Sequence, residues 1–246
     1  MRFDIVIPAL DEEGPLARVL ADLPRPGTSL RVQSGPDSPA HEAVLRGIVV
    51  ADNGSRDRTA EVARLAGARV VSEPRRGYGA ACLAALAAIR PAPPDAVVFI
   101  DADHSDDPRE LPQLLAPLME DRAELVIGSR TLGALEPGAF SPAQAFGNAL
   151  APALLALLWG VRVTDLGPFR AIRWPALERL RMRDRDFGWT VEMQVRALSA
   201  GMRVVEVPVS YRRRRLGRSK VSGTVRGVWG AGTKILGTIA RVRLGG

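Results

Sequence analysis

Cysteine occurs once in the 246 residues, at Cys82. An intramolecular disulfide is therefore excluded, and a reducing compartment is expected. Aromatic residues make up only 5%, too few for the stacked platforms that hold single-stranded nucleic acid. Long apolar runs are also missing. The longest, ALAPALLALLWGV, covers residues 149–161 with a proline inside, whereas a bilayer span needs roughly 20 residues. No leader with a charged start and an apolar middle is visible. MRFDIVIPAL passes straight into a strand-like run, so no secretory signal is expected. Acidic residues are absent from the stretch 212–246, which carries ten Lys or Arg.

That last absence locates the net charge of +7. The other residues hold 24 basic and 27 acidic side chains, a balance of −3. The basic character belongs to the tail, which points to an anionic ligand or surface there. The length suits one large domain or two small ones, with a substantial core. No linker is visible. The expected division is a domain over 1–211, followed over 212–246 by a basic loop and a tail.

Apolar strands alternate with amphipathic helices through the first half. FDIVIPA, GIVVAD, ARVVSE, DAVVFIDAD and ELVIGSR read as strands. EEGPLARVLADL, DRTAEVARLAG, YGAACLAALAAIR and PRELPQLLAPLM read as helices, with Pro108 in a first turn and Gly67 past a C-terminus. Residues 24–47, rich in Pro, Gly and Ser, read as a long surface loop. In the second half, WPALERLRM and GWTVEMQVRALSAG read as helices and RVVEVPVSY as a strand. The fold class is α/β, a mostly parallel sheet with helices on both faces. Ligands of such sheets bind beyond the carboxyl ends of the strands. There stand LDEE, ADNGSRD, EPRRGYG, DADHSDD and GSR, so the charge collects on one edge.

The densest of these is FIDADHSDDP. Asp101 and Asp103 put two carboxylates at a strand end, and a turn brings both to one side. Close carboxylates call for a cation, and oxygen ligands beside a phosphate suit Mg2+ or Mn2+. Asp106 and Asp107 are expected to cap the helix that begins at Pro108. His104 adjoins the pair, but a hard cation prefers oxygen. His41 falls in the loop region.

IVIPALDEEG, VADNGSRDRT, EPRRGYGAA, FIDADHSDDP, VIGSR, TDLGPFRAIR and YRRRRLGRSKVSGT, in this order, resemble the family 2 glycosyltransferases of GT-A (Rossmann-like) fold. The resemblance is strongest to synthases of dolichol-phosphate or polyprenyl-phosphate mannose and glucose. It covers nearly the whole chain apart from 24–47. It implies that Pro8, Ala9 and Glu12 touch the nucleotide, that Asp52 bonds the base, and that Arg76, Gly77 and Gly79 form a turn beside it. It implies a metal on Asp101 and Asp103, around Ala102. It implies Arg130 near the acceptor phosphate and Arg170 in the acceptor-side loop. Arg214 and Lys220, in R-x-x-G-x-S-K, match a mobile loop over the diphosphate. Three positions depart from the family pattern: Leu10 where an aromatic is common, Asn53 for a second aspartate, and Ser105 for a glutamine. Inversion at the anomeric carbon is likewise implied.

The chemistry of the residues agrees. A departing nucleoside diphosphate needs its charge neutralised, by a divalent ion on one side and by Arg214 and Lys220 on the other. Gly217 lets such a loop approach closely, and Ser219 can donate to a phosphate. A lipid-phosphate acceptor is already an anion and needs no base. A hydroxyl acceptor needs one, with Asp165, Asp186 and Glu192 as candidates. Trp189 suits either the acceptor pocket or the core. In 221–242, a helix would gather Val221, Val225, Val228, Ile235, Ile239 and Val242 on one face, and Arg226, Lys234 and Arg241 opposite, the pattern of a helix lying on an anionic bilayer. Five glycines between Gly223 and Gly237 work against that helix. The expectation is an inverting hexosyltransferase, peripheral at the inner face of the cytoplasmic membrane. It would use a nucleotide-sugar donor of UDP-glucose or GDP-mannose type and polyprenyl phosphate, with no nucleic-acid partner. Two alternatives stand: a hydroxyl acceptor, and a nucleotide-binding protein without turnover.

Overall fold

The computed structural model describes residues 1–140, 152–161 and 163–216, with the single Gly237 beyond them. The described elements are β1 (Arg2–Ala9), α1 (Glu13–Asp22), β2 (Ser29–Val32), β3 (His41–Asp52), α2 (Thr59–Leu65), β4 (Arg69–Ser72), α3 (Tyr78–Ile89) and β5 (Ala96–Phe99). A 3-10 turn at Pro108–Glu110 leads into α4 (Leu111–Met119), followed by β6 (Leu125–Ser129). Residues 152–159 are helical, α5. Then come β7 (Arg170–Arg173), α6 (Trp174–Leu180), α7 (Trp189–Ser199) and β8 (Val204–Pro208).

The strands form one sheet in the order β2-β3-β1-β5-β7-β6-β8, with β4 also on β3. β1 runs parallel to β3 and β5, β4 to β3, and β6 to β8. β7 runs antiparallel between β5 and β6. The side chains of β1 show why the sheet is covered on both sides. Phe3, Ile5 and Ile7 join one core with Leu16, Val19 and Leu114, while Val6 joins the other with Cys82, Phe99 and Trp189. Successive strand residues face opposite ways, and here both ways lead into apolar packing.

Two expectations change. The 24–47 segment is not one long loop. β2 pairs antiparallel with the start of β3, Val32 opposite His41 and Ser29 opposite Val44, so the second strand begins six residues before GIVVAD. Charged and polar residues on this outer hairpin break the apolar pattern because much of it faces solvent. The helix at Pro108 is also capped differently. Asp107 accepts from the Arg109 N–H at 3.2 Å, but Asp106 caps nothing. It is 1% exposed, and neither carboxyl oxygen has a hydrogen-bond partner.

Candidate active site

β1 ends at Ala9 beside Asp52 of β3, and β5 leads through Ile100 into Asp101. The parallel strands therefore deliver Pro8, Ala9, Asp52, Asp101, Ala102 and Asp103 to one edge. Pro8 and Ala9 are buried, and Asp52 accepts from the Ser55 N–H at 3.2 Å.

The loops after β1 and β3 are laced together. The N–H groups of Asp11, Glu12 and Glu13 donate to Ser55 Oγ (2.9 Å), Thr59 Oγ1 (2.8 Å) and an Asp57 oxygen (3.1 Å). The Arg56 N–H donates back to Asp11 at 2.7 Å. Asp11 holds φ 50 in this turn, a backbone region that aspartate tolerates better than most residues. Ser55, Asp57 and Thr59 thus build this wall of the site. They lie within VADNGSRDRT, but their partners are more than 40 positions away.

Asn53, which stands for the common second aspartate, is 4% exposed. Its amide donates to the carbonyls of Glu73 (3.0 Å) and Arg75 (2.6 Å), and its oxygen accepts from the Gly77 N–H at 2.8 Å. A carboxylate could not make the first two bonds. The amide pins the turn that carries exposed Arg76. Gly77 and Gly79 serve a close approach. A Cβ on either would lie 2.1 Å or 2.0 Å from the carbonyl oxygen of Arg185 or Asp184. The Gly79 and Ala80 N–H groups donate to the carbonyls of Asp186 (3.2 Å) and Arg185 (2.8 Å). The first turn of α3 is thereby sealed by the 184–186 loop.

Asp101 accepts from the Tyr78 hydroxyl at 2.9 Å. Burial, and then the charge of Asp103, push its carboxyl above the ordinary aspartate range. Asp103 accepts from the Ser105 N–H at 2.9 Å. Among the described residues, no group of three His, Cys, Asp or Glu side chains is arranged to hold a metal. The donor set does fit a hard divalent ion through two carboxylates, with phosphate and water completing its shell. His104, at φ 61, turns away and bonds Asp22 at 2.8 Å.

Arg130 follows β6. Its Nε and Nη2 donate to Asp165 at 2.7 and 2.6 Å, and its backbone N–H donates to the same carboxylate at 2.8 Å. Its guanidinium carbon lies 4.8 Å from the Phe140 ring centroid and 4.9 Å from that of Tyr211. Asp165 is fully buried and also accepts from the Leu166 N–H at 2.7 Å. Arg170 opens β7 rather than lying in a loop. Its guanidinium donates to the carbonyls of Leu166, Gly167 and Thr190, and burial lowers its pKa to about 10. It ties the 166–167 turn to α7. Glu192 accepts from the N–H groups of Arg183 (3.0 Å) and Asp184 (2.7 Å) and from Arg196 Nε (2.9 Å). Trp189 is core, packed edge-on to Phe99 with centroids 6.0 Å apart.

The basic run does not stand free. Arg212 pairs with Asp107, and Arg215 with Glu136 at 3.6 Å. The Arg213 N–H donates to Glu136 at 2.8 Å. Arg214 bonds Glu12, and its Nε lies 3.7 Å from Asp103. The segment is seated by Tyr211, which bridges both Asp106 and Leu135, and by the Arg212 N–H on the Ser105 carbonyl at 2.8 Å. Acid on the sheet edge thus neutralises the start of the basic tail. Ser219 and Lys220, with Gly217 and the 221–242 stretch apart from Gly237, lie outside the described residues. Among the described residues, no helix is long and apolar enough to cross a membrane.

Comparison with known proteins follows this geometry. The family model for glycosyl transferase family 2 matches residues 4–181. An uncharacterized glycosyltransferase of Mycobacterium tuberculosis is 42% identical over 225 residues, 91% of each chain. A dolichyl-phosphate hexose transferase of Haloferax volcanii is 33% identical over 214 residues, 85% of this chain and 82% of that one. The crystal structure of glucosyl-3-phosphoglycerate synthase from Mycobacterium tuberculosis, in complex with Mn2+, UDP and phosphoglyceric acid, superposes with a TM-score of 0.72. It covers 99% of this chain and 78% of that one at 24% identity, a likeness of fold.

Proposed function

The chain belongs to glycosyl transferase family 2, and on that footing we propose that it moves a hexose from a nucleotide sugar to polyprenyl phosphate, with inversion. The donor is of UDP-glucose or GDP-mannose type. The observation that carries the acceptor is the commitment of two of the three candidate carboxylates, Asp165 and Glu192. A hydroxyl acceptor needs a base. Asp165 accepts four hydrogen bonds within the fold, from Arg130 and Leu166. Glu192 is held by Arg183, Asp184 and Arg196. The stretches 141–151 and 217–246 and residue 162 contain no Asp, Glu or His, so they add no base. A phosphate monoester brings its own anionic oxygen and needs orientation only. The dolichyl-phosphate hexose transferase of Haloferax volcanii supports the same choice.

In this reading, Pro8, Ala9 and Asp52 receive the nucleotide at the ends of β1 and β3, and the Arg76–Gly79 turn, braced by Asn53, closes one side. Asp101 and Asp103 would hold Mg2+ or Mn2+, which would supply positive charge to the leaving diphosphate. Arg214, with Lys220 and Ser219, covers the diphosphate from the other side. Arg130 is oriented by Asp165 and lies against the neighbouring rings of Phe140 and Tyr211, whose centroids are 5.3 Å apart, and it presents positive charge towards the acceptor. The amphipathic stretch beyond it would lie on the bilayer that carries the acceptor.

The test is a donor screen: UDP-glucose, UDP-galactose, UDP-GlcNAc and GDP-mannose, each with Mn2+ and either polyprenyl phosphate or phosphoglyceric acid, and each repeated with Asp103→Ala. Lipid-linked sugar from one donor, lost in the variant, is the expected result. Sugar transferred to phosphoglyceric acid but not to the lipid would overturn the acceptor assignment.

A further inference from the structure

Arg214 occupies an unexpected position for a residue assigned to the diphosphate. Its side chain reaches across the site between the loops after β1 and β5. One end of its guanidinium bonds Glu12, from the loop after β1, and its Nε lies 3.7 Å from Asp103, from the loop after β5. That Nε is buried and has no hydrogen-bond acceptor. The contact with Asp103 is therefore one of charge, not a fitted bidentate pair of the kind guanidinium forms with carboxylate or phosphate. The arm is tethered just before this point, by Tyr211 on Asp106 and Leu135, by the Arg212 N–H on Ser105 and by the Arg213 N–H on Glu136. Arg214 is thus held over the carboxylate pair while its own side chain can still change partner.

We propose that Arg214, held by Glu12, is an internal counter-ion of the Asp101/Asp103 pair, so that a divalent ion settles there together with a nucleoside diphosphate rather than before it. A divalent ion arriving alone meets a guanidinium a few ångströms from its ligands, and like charges repel. A diphosphate offers that guanidinium a better, bidentate partner and draws it off the carboxylates. Metal and nucleotide then assist each other beyond their own direct bond, a coupling that must be reciprocal. Glu12 is a positioning residue in this scheme. The proposal rests on the reading of Asp101 and Asp103 as metal ligands.

The experiment uses the full chain and follows loss of the free Mn2+ signal in electron paramagnetic resonance. Wild type, Arg214→Gln and Arg214→Lys are titrated with Mn2+ alone, then with Mn2+ and UDP or GDP, and their thermal unfolding is compared. Arg214→Gln should bind Mn2+ alone roughly tenfold tighter than wild type, the scale of losing one close charge. Its gain in Mn2+ affinity on adding nucleotide should shrink by a similar factor. Arg214→Lys keeps the charge and should keep the wild-type order. If folded Arg214→Gln binds Mn2+ alone no tighter than wild type, yet wild type binds it with nucleotide, the counter-ion role is overturned and the metal reading survives. If no form binds Mn2+ even with nucleotide, both fall.

Discussion

Asp106 offers a prediction in which sign and size both follow from its surroundings. It is 1% exposed, and neither oxygen has a hydrogen-bond partner. Burial first, and then the charges of Asp101 and Asp103, raise its pKa well above the aspartate value of 3.8, and Arg130 only partly opposes them. In the fold it keeps a proton that the unfolded chain gives up near pH 4. An acid that holds its proton more tightly folded than unfolded contributes stability below the unfolded pKa. That contribution drains away as pH rises towards the folded pKa. Each pH unit crossed in that window costs about 1.4 kcal/mol. Asp106→Asn keeps the shape and removes the titration, at the cost of an amide that is itself short of partners. The variant should therefore match wild type near pH 4 and gain on it by about 1.4 kcal/mol for each pH unit from there up to the folded pKa of Asp106. Urea unfolding from pH 4 to 9, in EDTA so that no cation intervenes, measures the difference. Parallel stability curves, or a wild type that is the more stable at pH 8, would refute the reasoning.

Four further outcomes can be checked. Gly79→Ala places a Cβ 2.0 Å from the Asp184 carbonyl oxygen, so the 184–186 loop must move. A loss of about 1–3 kcal/mol is expected, visible as a lowered Tm. Asn53→Asp strips both donors from the carbonyls of Glu73 and Arg75. Donor KM should rise with kcat little changed, and steady-state kinetics separates the two. Cys82 is fully buried, and burial followed by the charge of Asp101 raises its thiol pKa well above the ordinary value. It should resist a thiol reagent such as DTNB in the native protein and react at once in urea. Glu192→Gln should cost about 1–3 kcal/mol of stability and leave kcat of the folded enzyme within about twofold. A loss of kcat by orders of magnitude in a well-folded variant would make Glu192 a base and remove the argument for a phosphate acceptor.

Much of this architecture is legible in the chain, because burial writes itself into periodicity. FDIVIPA, GIVVAD and DAVVFIDAD are apolar throughout, since strands covered on both faces have no wet side. Polar residues at their carboxyl ends place the candidate site, and Asp101 and Asp103 stand out there through spacing alone. The hairpin of β2 and β3 escapes the same reading because an edge facing solvent carries no apolar signal.

What the sequence by itself determined is local: the strand and helix pattern, the charged edge, the paired aspartates and the motif order that marks the family. Tertiary structure alone decided the partners. Arg214 and Glu12 are 202 positions apart, Arg212 and Asp107 are 105, and Arg130 and Asp165 are 35. The basic run reads as a patch awaiting an anion until the fold sets it against carboxylates. Gly77 and Gly79 read as a turn beside a nucleotide, and the fold adds a further reason for both, since the 184–186 backbone lies within reach of their missing Cβ atoms. Asp165 and Glu192 read as bases until their lone pairs are seen to be taken. Hydrogen bonds and ion pairs act over a few ångströms of space, and spacing along a chain reports such distances only within a helix turn or a strand.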